Sequence, residues 1–147
     1  MKPTLLVDTN VLLDVLANRE PWVHAARQIW SLAESRAVTA YIAAISFNNC
    51  YYIVRKYGGR ARADEAMRML RAVFEPVELS TSILDRAIAA GFADFEDAIQ
   101  LFSAKDVGAS TLVTRDPDDF PEVGFDVLAP TEFLARRALT DPGTVAG

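Results

Sequence analysis

The chain's most constraining feature is a short apolar run that ends abruptly on an acid. Leu5-Leu6-Val7 runs straight into Asp8-Thr9-Asn10, after which Val11, Leu12, Val15 and Leu16 recur at helical spacing. This reads as strand, polar turn, helix. The alternation then repeats. Asn18 to Pro21 break the first helix, and Trp22, Ala26, Ile29 or Trp30, and Ala33 mark a second that starts just after Pro21. Strands are expected at residues 38–40, 77–79, 111–114 and 125–128. Between them, helices are expected over 46–56, ended by Gly58-Gly59, and over 61–73, with Ala66, Met67, Leu70 and Phe74 on one face. Ser80-Thr81-Ser82 caps another that reaches Ala90 and stops at Gly91, and a further helix runs from Asp94 to near Gly108. Residues 116–121 read as a loop, and Pro130-Thr131-Glu132 opens a short last helix. Strands alternating with helices imply an α/β fold with a mostly parallel sheet covered by helices. Ligands then sit outside the carboxyl ends of the strands.

At 147 residues the chain has room for one domain, assigned to 1–140, with a polar tail at 141–147. No apolar stretch reaches the roughly 20 residues of a membrane span, and the first residues lack the pattern of a secretory signal, so a cytoplasmic location is expected. Cys50 is the only cysteine and His24 the only histidine. Thiolate-rich metal sites, histidine clusters and two-histidine ribonuclease chemistry are therefore excluded, which leaves carboxylates as the titrating or ligating groups. A net charge of -5 argues against a broadly basic nucleic-acid surface. The charge is nonetheless divided: residues 55–71 hold six basic side chains against two acids, and residues 94–126 hold nine acids against Lys105 and Arg115. The basic stretch suits an RNA backbone or an acidic partner, or is an exposed helix face.

Two expected strands lead into aspartates, Asp8 and, through Arg115, Asp116. Parallel strands put both on one edge, and Asp97, in the first turn of a helix, faces the same edge if that helix packs in the usual way. Carboxylates a few ångströms apart repel, so the cluster must either raise its pKa values or hold a cation, and hard oxygen ligands suit Mg²⁺ or Mn²⁺. A divalent ion there activates water and neutralises charge on a phosphodiester under in-line attack. Asp94 and Asp97 also have the spacing of an acidic capping pair, and Asp116-Pro117-Asp118-Asp119 that of a turn. Asp14 fits a lean toward the site or, the favoured reading, a solvated helix position.

The segments Leu6-Val7-Asp8-Thr9-Asn10-Val11-Leu12-Leu13-Asp14, Asp94-Phe95-Glu96-Asp97-Ala98, and residues 112–120 from Leu112 to Phe120 resemble the PIN-domain family, including VapC-type toxins. The resemblance covers about residues 4 to 134. It implies a three-layer α/β/α sandwich and a metal-dependent, single-strand RNA endonuclease, with an antitoxin protein as a partner where the chain is the toxin of a pair. It makes Asp8, Asp97 and Asp116 the catalytic, metal-site acids, with Asp94 and Asp119 as accessories. The family usually carries another acid in the helix after the second strand. Here Asn49 takes that place, offering a carbonyl oxygen but no charge. Glu96 is read as a poor substitute for that acid, because it neighbours Asp97 on its helix and points to a different face.

Thr9 and Asn10 either orient the first aspartate and contact substrate or cap a helix beginning at Val11. Thr114 either bonds a site acid or is simply a β-branched strand residue. Arg115 reads as a solvated partner of nearby acids, His24 as surface or half-buried, and Cys50 as packing. Tyr51, Tyr52, Tyr57 and the Met67-Met69-Leu70 helix offer more apolar surface than one small core needs, so a homodimer is expected. Three other readings compete. A dehalogenase-like phosphatase needs a second acid where Asn10 stands, and a receiver-like domain needs a strand-end lysine, whereas Lys105 lies inside a helix. The third is a degenerate PIN-like module that binds RNA or a partner without cleaving.

Overall fold

Leu5, Leu6 and Val7 are all fully buried, so β1 (Thr4–Val7) has no solvent face, as expected of the middle strand of a parallel sheet. The computed structural model describes residues 2–140, which leaves the expected tail at 141–147 outside the described residues. After β1 come α1 (Thr9–Leu16), α2 (Val23–Glu34), β2 (Thr39–Ala43), α3 (Ala44–Gly58), α4 (Arg60–Val73) and β3 (Glu75–Val77). The second half adds α5 (Thr81–Ala90), α6 (Phe95–Asp106), β4 (Thr111–Val113), a 3₁₀ turn (Pro117–Asp119), β5 (Asp126–Leu128) and α7 (Pro130–Thr140). The strands form one sheet in the order β3-β2-β1-β4-β5, and every neighbouring pair is parallel.

Strand periodicity divides the core into two layers. Leu5 and Val7 of β1, Ala40 and Ile42 of β2 and Val113 of β4 face one side, where they pack against α1, α2, α3, α4 and α7. Leu6, Ala43 and Leu112 face the other and meet Ile83 and Ala87 of α5 and Ala98, Ile99 and Ala104 of α6. The result is a helix–sheet–helix sandwich, as the alternation in the sequence predicts. Among the described residues, no helix is long and apolar enough to cross a membrane.

Local chemistry sets several boundaries. Ser80 accepts the Ile83 amide at 3.1 Å to start α5, and Gly91, in the left-handed region, ends it. Other limits differ from expectation. β2 runs on to Ala43, because Tyr41, Ile42 and Ala43 pair in register with β3. β3 lies at residues 75–77 rather than 77–79 and includes Pro76, which an edge strand accommodates because the missing N–H faces away from the ladder. Leu70, expected to add apolar surface, is fully buried in the core, while Met69, Tyr52 and Tyr57 are exposed.

Candidate metal centre

Because β1 and β4 are parallel neighbours, Asp8 and Asp116 leave the sheet at the same edge. Asp8 is the cap of α1, which starts at Thr9 rather than Val11, and its Oδ1 accepts the Thr9 amide at 2.7 Å. Its Oδ2 accepts the Thr114 hydroxyl at 2.8 Å. Thr114 Oγ1 in turn accepts the Asp116 amide at 3.2 Å, so one fully buried hydroxyl joins the two acids. Asn10 fastens the same turn, since its Nδ2 donates to Asp116 Oδ2 at 3.2 Å and its Oδ1 accepts the Arg115 amide at 3.2 Å.

α6 brings its first turn to this edge. Asp94 caps that helix, accepting the amides of Glu96 at 2.8 Å and Asp97 at 3.3 Å, so one of its oxygens is engaged by the helix start. Asp97 is half-buried and lines a cavity of about 680 Å³ with Asp94, Asp118 and Asp119. A second groove of about 640 Å³ is lined by Thr9, Asn49, Tyr52, Arg55 and Glu96.

The electrostatics record the crowding. Burial pushes the Asp8 carboxyl up to about 7, against the pull of its Thr114 and Thr9 hydrogen bonds, and the charges of Asp97 and Glu96 push it further. Burial also raises Asp97, to about 6, helped by Asp94, Asp119, Glu96 and Asp116. Among the described residues, no three His, Cys, Asp or Glu side chains stand close enough to grip one ion by themselves. The donor set nonetheless fits Mg²⁺ or Mn²⁺. The groups are carboxylate, amide and hydroxyl oxygens, and Mg²⁺ is commonly held by one or two carboxylates, with water and phosphate oxygens completing the shell.

The family model described as PIN domain matches residues 4–118. The chain belongs to the PIN-domain family. The PIN domain here is similar to a toxin–antitoxin complex from Klebsiella pneumoniae, with 25% identity, a TM-score of 0.65, and coverage of 86% of this chain and 97% of the other. It shares its fold with VapBC2 from Rickettsia felis bound to a promoter DNA fragment, at 16% identity, TM-score 0.62, and 85% and 96% coverage. The fold is also that of VapC20 from Mycobacterium tuberculosis, a sarcin–ricin loop cleaving toxin, at 13% identity, TM-score 0.62, and 74% and 86% coverage. No curated protein matches the sequence.

Around the PIN-domain acids the structure corrects two expectations. Asp14 is not solvated. It is fully buried and meets Arg115 Nη1 at 3.2 Å; burial raises its carboxyl, and the Arg115 charge offsets part of that rise. Arg115 is not a free surface residue either, since its guanidinium stacks 4.1 Å from the centre of the Trp22 ring. Glu96 leaves the face of Asp97, as expected, and lines the Asn49 groove instead, where its Oε1 accepts the Thr9 hydroxyl at 2.8 Å. Adjacent residues on a helix differ by about 100° in direction, which separates the two. Asn49 lines the groove that Glu96 lines. Ser46 and Gln100, both buried in contact with Thr9, went unnoticed in the sequence. The four-residue spacing from Glu96 to Gln100 was the available signal, because it stacks them on one helix face.

Proposed function

We propose that this chain is a metal-dependent single-strand RNA endonuclease, the toxin of a toxin–antitoxin pair. The observation that carries the reading is the convergence of Asp8, Asp97 and Asp116 from three elements at one sheet edge, with two carboxyls raised and the nearby Arg115 engaged elsewhere. Asp8, Asp97 and Asp116 would hold Mg²⁺ or Mn²⁺, with Asp94 as an accessory. The ion, when bound, supplies an activated water for hydrolysis and positive charge for the phosphodiester. Thr114 and Asn10 keep Asp8 and Asp116 in fixed relation, which serves a site that must align an attacking oxygen with a phosphorus. Exposed Arg55 lines the groove of Glu96 and Asn49 and offers a phosphate contact beside the acidic centre.

An antitoxin partner agrees with the similarity to the Klebsiella complex. A homodimer agrees with the exposure of Tyr52, Tyr57 and Met69, and a cytoplasmic site of action with an RNA substrate. The test is cleavage of a fluorescent single-stranded RNA pool with Mg²⁺, Mn²⁺ or EDTA, comparing wild type with Asp97→Asn. Metal-dependent cleavage that disappears in the variant is expected. Cleavage that survives both EDTA and the substitution would remove the mechanism, and RNA retention without cleavage would favour the non-cleaving module.

A further inference from the structure

Asn49 lines the α3 groove without bringing charge to it, and Glu96, across from it on α6, lines the same groove. Glu96 is held there by a directed chain of hydrogen bonds. Gln100 Nε2 donates to Ser46 Oγ at 3.1 Å and to Thr9 Oγ1 at 3.3 Å. Thr9 donates its single hydroxyl proton to Glu96 Oε1 at 2.8 Å, so it accepts from Ser46 Oγ, also 2.8 Å away. The donors of this chain run toward Glu96 Oε1, which accepts at its end. Ser46, Gln100 and Thr9 are buried, and Gln100 Oε1 is a buried acceptor with no partner among the described residues. Burying a glutamine with an orphaned oxygen costs stability that an apolar side chain would avoid, so packing does not explain it. The chain ends beside Asp8, whose neighbour Thr9 is its last donor.

We infer that Glu96 supplies from α6 the carboxylate that α3 lacks at Asn49, making it a further acid of the metal site, with Thr9, Ser46 and Gln100 as its positioning residues. The inference rests on the nuclease reading above. It explains how the site keeps its negative charge although the acid usual after the second strand is absent.

Mn²⁺ binding, read by loss of the free-ion electron paramagnetic resonance signal, tests it without relying on turnover. The proteins are wild type, Glu96→Gln, Asn49→Glu and the double variant. Gln at position 96 still accepts from Thr9, and a thermal melt in EDTA checks that it folds. Glu96→Gln is expected to weaken Mn²⁺ binding by about tenfold or more, and the double variant to recover most of that loss. Affinity in Glu96→Gln within about twofold of wild type would overturn the inference alone, as would a loss that Asn49→Glu does not restore. If Glu96→Gln does not fold, Asn49→Glu decides. A gain below about threefold supports a site already supplied with its acid, and a larger gain overturns the inference. If wild type and Asp97→Asn both leave the Mn²⁺ signal unchanged, this inference and the metal-dependent nuclease reading fall together.

Discussion

Replacing Asp8 with asparagine should make the metal-free protein more stable, and only at neutral and higher pH. Asp8 is buried, and its carboxyl is raised to about 7 from an ordinary 3.8. Below about pH 4 the group is protonated in both folded and unfolded chains and makes no difference. Between about 4 and 7 the folded protein keeps a proton that the unfolded chain has released, so wild-type stability falls as pH rises through that window. Above 7 the full cost is present. At about 1.4 kcal/mol per pKa unit, it comes to about 4 kcal/mol.

Asparagine keeps the shape and still accepts the Thr9 amide, while the Thr114 hydroxyl must turn to accept from the new amide group. Exchanging charge-assisted bonds for neutral ones returns about 1–2 kcal/mol, which leaves a net gain near 2 kcal/mol at pH 8. At about 2–4 °C per kcal/mol, Asp8→Asn should melt about 4–8 °C above wild type in EDTA at pH 8, and the two should nearly coincide at pH 5. Circular-dichroism melts at both pH values decide it. An asparagine variant that melts at or below wild type at pH 8, or a difference equal at both pH values, would refute the reasoning. Asp97 is raised too, and because its charge helps raise Asp8 the two acids are coupled, so the gain at pH 8 includes relief of their repulsion.

Three smaller effects follow from the same geometry. Arg115→Ala leaves Asp14 buried without its counter-ion and removes the stack on Trp22, so urea unfolding should show a loss of about 3 kcal/mol; a loss under 1 kcal/mol would mean the pair is not coupled. Ser80→Ala removes the cap of α5 and should cost about 1 kcal/mol in the same assay, while Ser80→Asp should retain most of it. Cys50 is fully buried, and burial pushes its thiol up to about 12, so a disulfide reagent at pH 8 should label it at the rate of unfolding; labelling within seconds in native buffer would contradict the burial.

The middle of the sheet was legible because β1 and β4 are short apolar runs buried on both faces, and α5 and α6 because Ser80, Gly91 and Asp94 bound them with strong local preferences. Where local preference conflicts with tertiary context, the reading slipped. Pro76 argues against a strand except at an edge, and the edge is a property of the whole sheet. Tyr41, Ile42 and Ala43 suit a strand or a buried helix equally until β3 is present to pair with them. At the site, aspartates that follow strands announce themselves, because chain direction alone puts them on one edge. Asp14 does not, since its partner is 101 residues away, and the Thr9 contact of Glu96 spans 87 residues and is equally invisible to local spacing.

The Asp14–Arg115 pair bears on why the acids stand raised. Arg115 immediately precedes Asp116, and a guanidinium turned toward Asp8 and Asp97 would pair with them and lower both carboxyls. Its side chain turns instead to Asp14 and Trp22, while its backbone amide is held by Asn10. The buried Asp14 therefore does more than satisfy an arginine: it draws a cation away from the cleft and fixes the segment that carries Asp116. A fully buried carboxylate is a costly way to anchor a loop, and Asp8 adds a second unfavourable burial. Both costs act in one direction, leaving Asp8 and Asp97 as acids that hold a proton to higher pH than usual and that no cation among the described residues pairs with. A divalent cation relieves that condition, and the same condition makes the folded chain more stable once Asp8 loses its charge.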